Sequence, residues 1–287
     1  MADVEHVLSV QNELGEGPVW HSGERALYWV DIEDTGYYRF DPASGTHEKI
    51  DVGVSVATIA FRAAGGFLLA TKRGLALWDA ATREFTVIGN VEAHKPNRQF
   101  NDGAVDRRGR FWIGTTGDPF NNALYRLDPD RTIQQMETGI DISNGIGWSP
   151  DDKTMYYTDS TPARIYAYDF DAESGAIANR RIFVESSERV GLPDGLTVDR
   201  EGFVWSARWG ASCIERYDPA GKLERSITLP AQYPSSLMFG GDDLRDLYIT
   251  SARIDMTPEE KQRPSLDGDL FRVRLAVGGF AEPAYAG

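Results

Sequence analysis

The chain holds one cysteine, Cys213, so it can build neither a disulfide framework nor a multi-thiolate zinc site. Its four histidines (His6, His21, His47 and His94) lack metal-ligand spacing and read as solvated side chains, with His94 near enough to Arg98 to border a pocket. Positive charge is scarce: 30 Lys+Arg stand against 44 Asp+Glu, a net charge of −14. That balance excludes nucleic acid and an anionic membrane surface, both of which are bound through clustered bases. Arg107–Arg108 and Arg180–Arg181 are too isolated to form such a patch. No run reaches the ~18 apolar residues of a membrane span. The opening MADVEHVLSV places acids where a secretion signal needs a basic stretch and then an apolar one, the expectation for a soluble, cytoplasmic protein. A GxSxG elbow and a phosphate-cradling glycine loop are also missing, which removes the common serine hydrolases and nucleotide binders.

What is present is repetition. Six segments share a small or polar pair, a short apolar strand, a turn and an aromatic-rich strand: GEGPVWHSGERALYWV, SVATIAFRAAGGFLLAT, NDGAVDRRGRFWIGT, SNGIGWSPDDKTMYYTD, PDGLTVDREGFVWSAR and PSSLMFGGDDLRDLYITS. Their second strands start near Leu27, Phe67, Arg110, Met155, Val204 and Leu247, a spacing of about 44 residues that matches propeller blades. Third strands such as GYYRFDP and NALYRLDP alternate apolar and polar residues, and a fourth follows most of them. Only TPEEKQRP, Thr257 to Pro264, suggests a turn of helix. The pattern predicts an all-β, six-bladed β-propeller forming one domain over residues 1–287, with Val4 to Val10 completing the last blade. DFDAESGAIANR lacks the glycine and terminal glutamate of an EF loop and reads as a hairpin. Most of the seven tryptophans fall at repeat positions and read as packing between blades, with Trp209 the one near enough to approach a pocket. Cys213 reads as buried and inert.

First strands of propeller blades face a common axis. Aligning GEGPVW, NDGAVD, SNGIGW and PDGLTV places Glu16, Asp102, Asn144 and Asp194 at one register, with Asn101 one residue earlier and Ala57 and Ser235 from the other two copies. Crowded carboxylates repel one another and lose hydration, which a cation would relieve. Oxygen donors without His or Cys suit a hard ion. A competing explanation is that the polar–Gly pairs serve only as turn residues entering the strands.

The ordered motifs GEGPVW, FNDGAVDRRGRFWIG, SNGIGWSPDDKTMYYTDS and LPDGLTVDREGFVW resemble those of the gluconolactonase/regucalcin/luciferin-regenerating-enzyme family. The resemblance implies a six-bladed propeller with one divalent ion in the axial channel, Ca²⁺ with Zn²⁺, Mn²⁺ or Mg²⁺ as alternatives. It assigns the metal to Glu16, Asn144 and Asp194, and substrate binding to Asn101. Family members often carry Arg two residues before that Asn; here Gln99 stands there and Arg98 one position earlier, so both are candidates for substrate contact. Asp118 is the counterpart of an acidic loop residue that reaches the substrate in some relatives.

The expected activity is metal-dependent hydrolysis of a small sugar lactone to its aldonic acid, with Asp194 as general base. One alternative is calcium-dependent phosphotriesterase or aryl-esterase chemistry; another is a non-catalytic calcium-binding propeller. The expected partner is a small-molecule lactone, with the protein a monomer or small homo-oligomer.

Overall fold

Short alternating segments separated by Gly-, Asp- and Pro-bearing turns favour antiparallel hairpins over helices. The computed structural model describes residues 3–287 and contains, among them, 23 strands and one four-residue helix, Pro258–Lys261. The helix begins where a helical turn is expected: the Thr257 hydroxyl accepts the Glu260 N–H, and the Glu260 carboxylate accepts the Thr257 N–H. None of the described helices is long and apolar enough to cross a membrane.

Four of the sheets are four-stranded and antiparallel. Their innermost strands are Gln99–Val105, Ser143–Trp148, Leu192–Val198 and Pro234–Gly240. The fifth sheet has seven strands because Thr46–Phe61 serves twice. Its first half is the outer strand beside Thr35–Asp41, and its second half is the inner strand beside Phe67–Thr71. Counting the halves separately gives six four-stranded units, numbered below in chain order from the inner strand Gly15–His21. Inner strands touch in a closed circuit, each against the next and the sixth against the first. The protein is an all-β propeller.

The sixth unit takes Val4–Leu8 as its outer strand, antiparallel to Leu270–Arg274, so the leftover N-terminal segment closes the ring as expected. Aromatic side chains fill the space between units: Trp29, Trp112 and Trp205 are almost fully buried, while Trp209 is half-buried. DFDAESGAIANR forms the hairpin joining Arg164–Asp171 to Ala176–Glu185.

The turns joining first to second strands lie on the face away from the start of the inner strands. Two of them carry buried aspartates with complete sets of partners. Asp106 accepts the Arg110 guanidinium at 2.6 Å, the Trp112 indole at 2.9 Å and the backbone N–H groups of Arg108 and Arg110. Asp199 repeats this with Arg216, Trp205 and the N–H groups of Glu201 and Phe203.

The C-terminal segment runs across this same face. Gly279 N–H donates to Leu244 O, Gly278 O accepts from Arg200, Tyr285 exchanges bonds with Phe61 and Ala63, and Ala286 N–H donates to Gly109 O. The strap therefore ties units six, five, three and two together.

Candidate metal centre and substrate pocket

The six inner strands share a defect. Pairing with the second strand slips between Glu16 and Val19, Val56 and Thr58, Phe100 and Gly103, Ser143 and Ile146, Pro193 and Leu196, and Pro234 and Leu237. The residues at these slips include Glu16, Ala57, Asp102, Asn144, Asp194 and Ser235, the register read from the repeats. A bulge re-aims a side chain that a regular ladder would hold in alternation. The glycines beside these residues are not merely turn formers. A Cβ on Gly145 would lie 2.3 Å from Leu196 N, and one on Gly195 would lie 2.2 Å from Ser236 Oγ. Neighbouring inner strands approach so closely that only glycine fits.

Glu16, Asn144 and Asp194 are each buried to about one-twentieth of full exposure. Burial pushes the Glu16 carboxyl well above its ordinary range, and the charges of Asp194 and Asp102 push it further. Asp194 is likewise raised by burial and by Asp102, and Asp102 is pushed up to about 6 by burial. Among the described residues, no arginine or lysine is paired with any of the three carboxylates. Glu16 accepts only the Gly17 N–H at 2.9 Å, and Asp102 only the Gly103 N–H at 2.7 Å. Asp194 Oδ1 is buried with no partner.

The amide of Asn144 is oriented with its NH₂ donating to Ser160 Oγ at 2.9 Å. Its oxygen accepts from Asn101 Nδ2 at 3.3 Å, while Asn101 also donates to Ser143 O at 2.7 Å. Among the described residues no three His, Cys, Asp or Glu side chains form a metal cage by themselves. A cation here would have to combine the Glu16 and Asp194 carboxylates with an amide oxygen. The donor set, the uncompensated charge and the orphaned Asp194 oxygen fit a hard divalent ion.

Beside the ring, a cavity of about 140 Å³ is walled by Glu33, Ser55, Ala57, Thr71, Lys72 and Gln99, among others. Gln99 thus faces open space. Arg98 does not line this cavity: its guanidinium stacks 4.5 Å from the Phe100 ring centroid and donates to Asn90 Oδ1. Asp118 is tied into its own loop, accepting from Asn121 Nδ2 at 2.7 Å, and is also absent from the cavity wall. His94 is exposed and lines neither cavity at the axis. Trp209 donates to Asp255, and Cys213 is half-buried rather than buried, with burial raising its thiol pKa.

Sequence reasoning missed Glu33, Lys72 and Glu282. Glu33 and Lys72 occupy the turns between second and third strands in units one and two, so the repeat alignment itself could have found them. Glu282 lies on the C-terminal strap, outside every repeat. It lines a small axial cavity with Asp102, Gly103, Gly17 and Ser236, and its carboxyl is pushed up to about 8 by burial and then by Asp102.

The fold and the shared bulges of its inner strands define the protein as an all-β propeller with polar side chains gathered at its axis. The SMP-30/Gluconolactonase/LRE-like region matches residues 14–253, and the chain belongs to that family. It is 38% identical to pentonolactonase XacC of Haloferax volcanii, covering 97% of each chain. Among solved structures it resembles a luciferin-regenerating enzyme (TM-score 0.93, 31% identity, all of both chains covered). It also resembles a calcium-binding regucalcin from Agrobacterium tumefaciens (TM-score 0.93, 27% identity, 99% and 97% covered).

Proposed function

We propose that this single-domain, six-bladed propeller hydrolyses a small sugar lactone with the help of one divalent ion in its central channel. The observation that carries this reading is the pair of buried carboxylates Glu16 and Asp194 with the half-buried Asp102, free of basic partners, beside a polar cavity. The lactonase relative supplies the substrate class.

Glu16, Asn144 and Asp194 would hold the ion, which when bound supplies Lewis acidity toward the lactone carbonyl. The chain's own groups do the rest. Asp194 accepts the proton of a water whose oxygen bonds to the carbonyl carbon. The ring C–O bond then breaks, and the ring oxygen departs as a hydroxyl on taking that proton back from Asp194. Gln99 presents its amide toward sugar hydroxyls from the cavity wall; Asn101 is not on that wall, spends its NH₂ on Ser143 O and Asn144 Oδ1, and would offer a hydroxyl its amide oxygen only.

The polar wall of Glu33, Ser55, Thr71, Lys72 and Gln99 favours a polyhydroxylated ring over an aryl ester or fluorophosphate. Exhaustive chelation should abolish opening of pentono- and gluconolactones, measured by pH-stat above spontaneous hydrolysis. Ca²⁺, Mn²⁺, Mg²⁺ or Zn²⁺ should restore it to different extents. Full turnover by protein shown to be metal-free, or hydrolysis of an aryl ester in preference to every lactone, would sink the proposal.

A further inference from the structure

Arg208 is fully buried in the second strand of unit five, Val204–Trp209, although it touches none of the proposed reacting groups. Its Nη2 donates to Gly191 O at 2.8 Å and to Val190 O at 3.0 Å. Its Nη1 donates to Ser186 Oγ at 2.8 Å, and that hydroxyl donates to Ala163 O at 2.9 Å. Its Nε lies 3.4 Å from Glu215 Oε2, on a carboxylate that also accepts from Tyr217 and pairs with Arg189. One guanidinium thus grips three points of the connection 186–191. Glu215 supplies its counter-charge and holds Arg189 of the same connection.

That connection runs directly into the strand carrying Asp194. Gly191, at φ +76°, is pressed on the second strand so closely that a Cβ would lie 2.4 Å from Trp209 O. Pro193 is the register partner of Arg208, and the ladder slips immediately afterwards. Asp194 stands in that slip with an unpartnered Oδ1, so its carboxylate is placed by the backbone leading to it rather than by side-chain partners. Burying a guanidinium is costly unless its donors are used, and only a planar fork reaches several acceptors at once.

We propose that Arg208 is a positioning residue for Asp194, holding the 186–191 connection so that the carboxylate meets its water and the ion. The proposal rests on the reading of Asp194 as base and ligand. Arg208→Lys keeps a charge for Glu215 but cannot grip Ser186, Val190 and Gly191 together. It should lower kcat at saturating metal by roughly 10- to 100-fold, with KM changed by less than about threefold and faster amide exchange across residues 186–195. The control is Arg110→Lys on the opposite face. Arg110 is also buried and grips Asp106 and the carbonyls of Ala172 and Glu173, so its loss should lower Tm while leaving kcat within about twofold.

In an Asp194→Asn background, Arg208→Lys should add less than about threefold to the loss. The proposal is overturned if Arg208→Lys leaves kcat and exchange at 186–195 unchanged. It is equally overturned if Arg208→Lys costs as much in the Asp194→Asn background as in the parent. Should the lysine variant fail to fold, the double change Arg208→Leu with Glu215→Leu removes both charges and faces the same criteria. Parental turnover by Asp194→Asn alone would refute the base assignment instead; Arg208 would then be judged by exchange and metal affinity.

Discussion

Two sets of carboxylates stand at opposite ends of the inner strands. Asp106 and Asp199, in the turns below the ring, each accept an arginine, an indole N–H and two backbone N–H groups. Glu16, Asp102 and Asp194, at the axis, each have a backbone N–H and no basic partner. Both sets lie wholly or partly out of water, and the chain provides countercharge for one only. Full satisfaction locks a turn; withheld satisfaction is what the proposed cation would relieve.

Substitutions can break this contrast. The largest effect is expected from Asp194→Asn, which keeps the size and one oxygen but loses the base: kcat at saturating metal should fall by roughly 10²–10⁴-fold. Steady-state assays at graded metal concentrations check this, and turnover within a few-fold of the parent would leave Asp194 a ligand only. Next comes Asp199→Ala, which orphans the Trp205 indole and two backbone N–H groups and leaves the Arg216 guanidinium only the more exposed Glu201 and Glu224. It should cost about 3–5 kcal/mol in denaturant unfolding, while kcat of the folded fraction stays at the parental level. A comparable loss of kcat would erase the division between the two sets.

Glu282 tests the axial set through pH. Its folded pKa, about 8, lies above the unfolded carboxyl value, so its contribution to stability is present in acid and is lost as pH rises through 8. Metal-free Glu282→Gln should therefore show a flatter Tm profile from pH 5 to 8, with a difference on the order of 1–3 kcal/mol at the alkaline end. Parallel profiles for the two proteins would exclude that coupling. The smallest effect belongs to the cavity wall: Gln99→Ala should raise KM about three- to tenfold, the loss of one hydrogen bond, while Arg98→Ala should leave KM near parental. The reverse result would return Arg98 to the pocket.

The four-stranded period was legible because every copy reuses the same turn chemistry and aromatic packing. Second strands begin at Ala26, Phe67, Phe111, Thr154, Val204 and Asp246, within one residue of their expected starts. The shared register of Glu16, Asp102, Asn144 and Asp194 was legible for the same reason. The double use of Thr46–Phe61 was not, since nothing in HEKIDVGVSVATIAF announces that the backbone continues unbroken between units. Nor was the turning of Arg98 toward Phe100, which depends on how a loop packs rather than on any spacing. Glu282 escaped because repeats carry information only about themselves.

The pairing of Val4–Leu8 with Leu270–Arg274 has a consequence for how the protein is made. On the ribosome, Val4–Leu8 waits for the other strands of all six units before its partner emerges. Units one to five can form hairpin by hairpin from local contacts, but the sixth cannot be completed until Leu270–Arg274 has been made. Closure of the circle, which sets Glu16 against the sixth inner strand, is then a late event. Until then the nascent chain carries Val4–Leu8 unpaired, which makes the interval before closure its period of greatest exposure to aggregation.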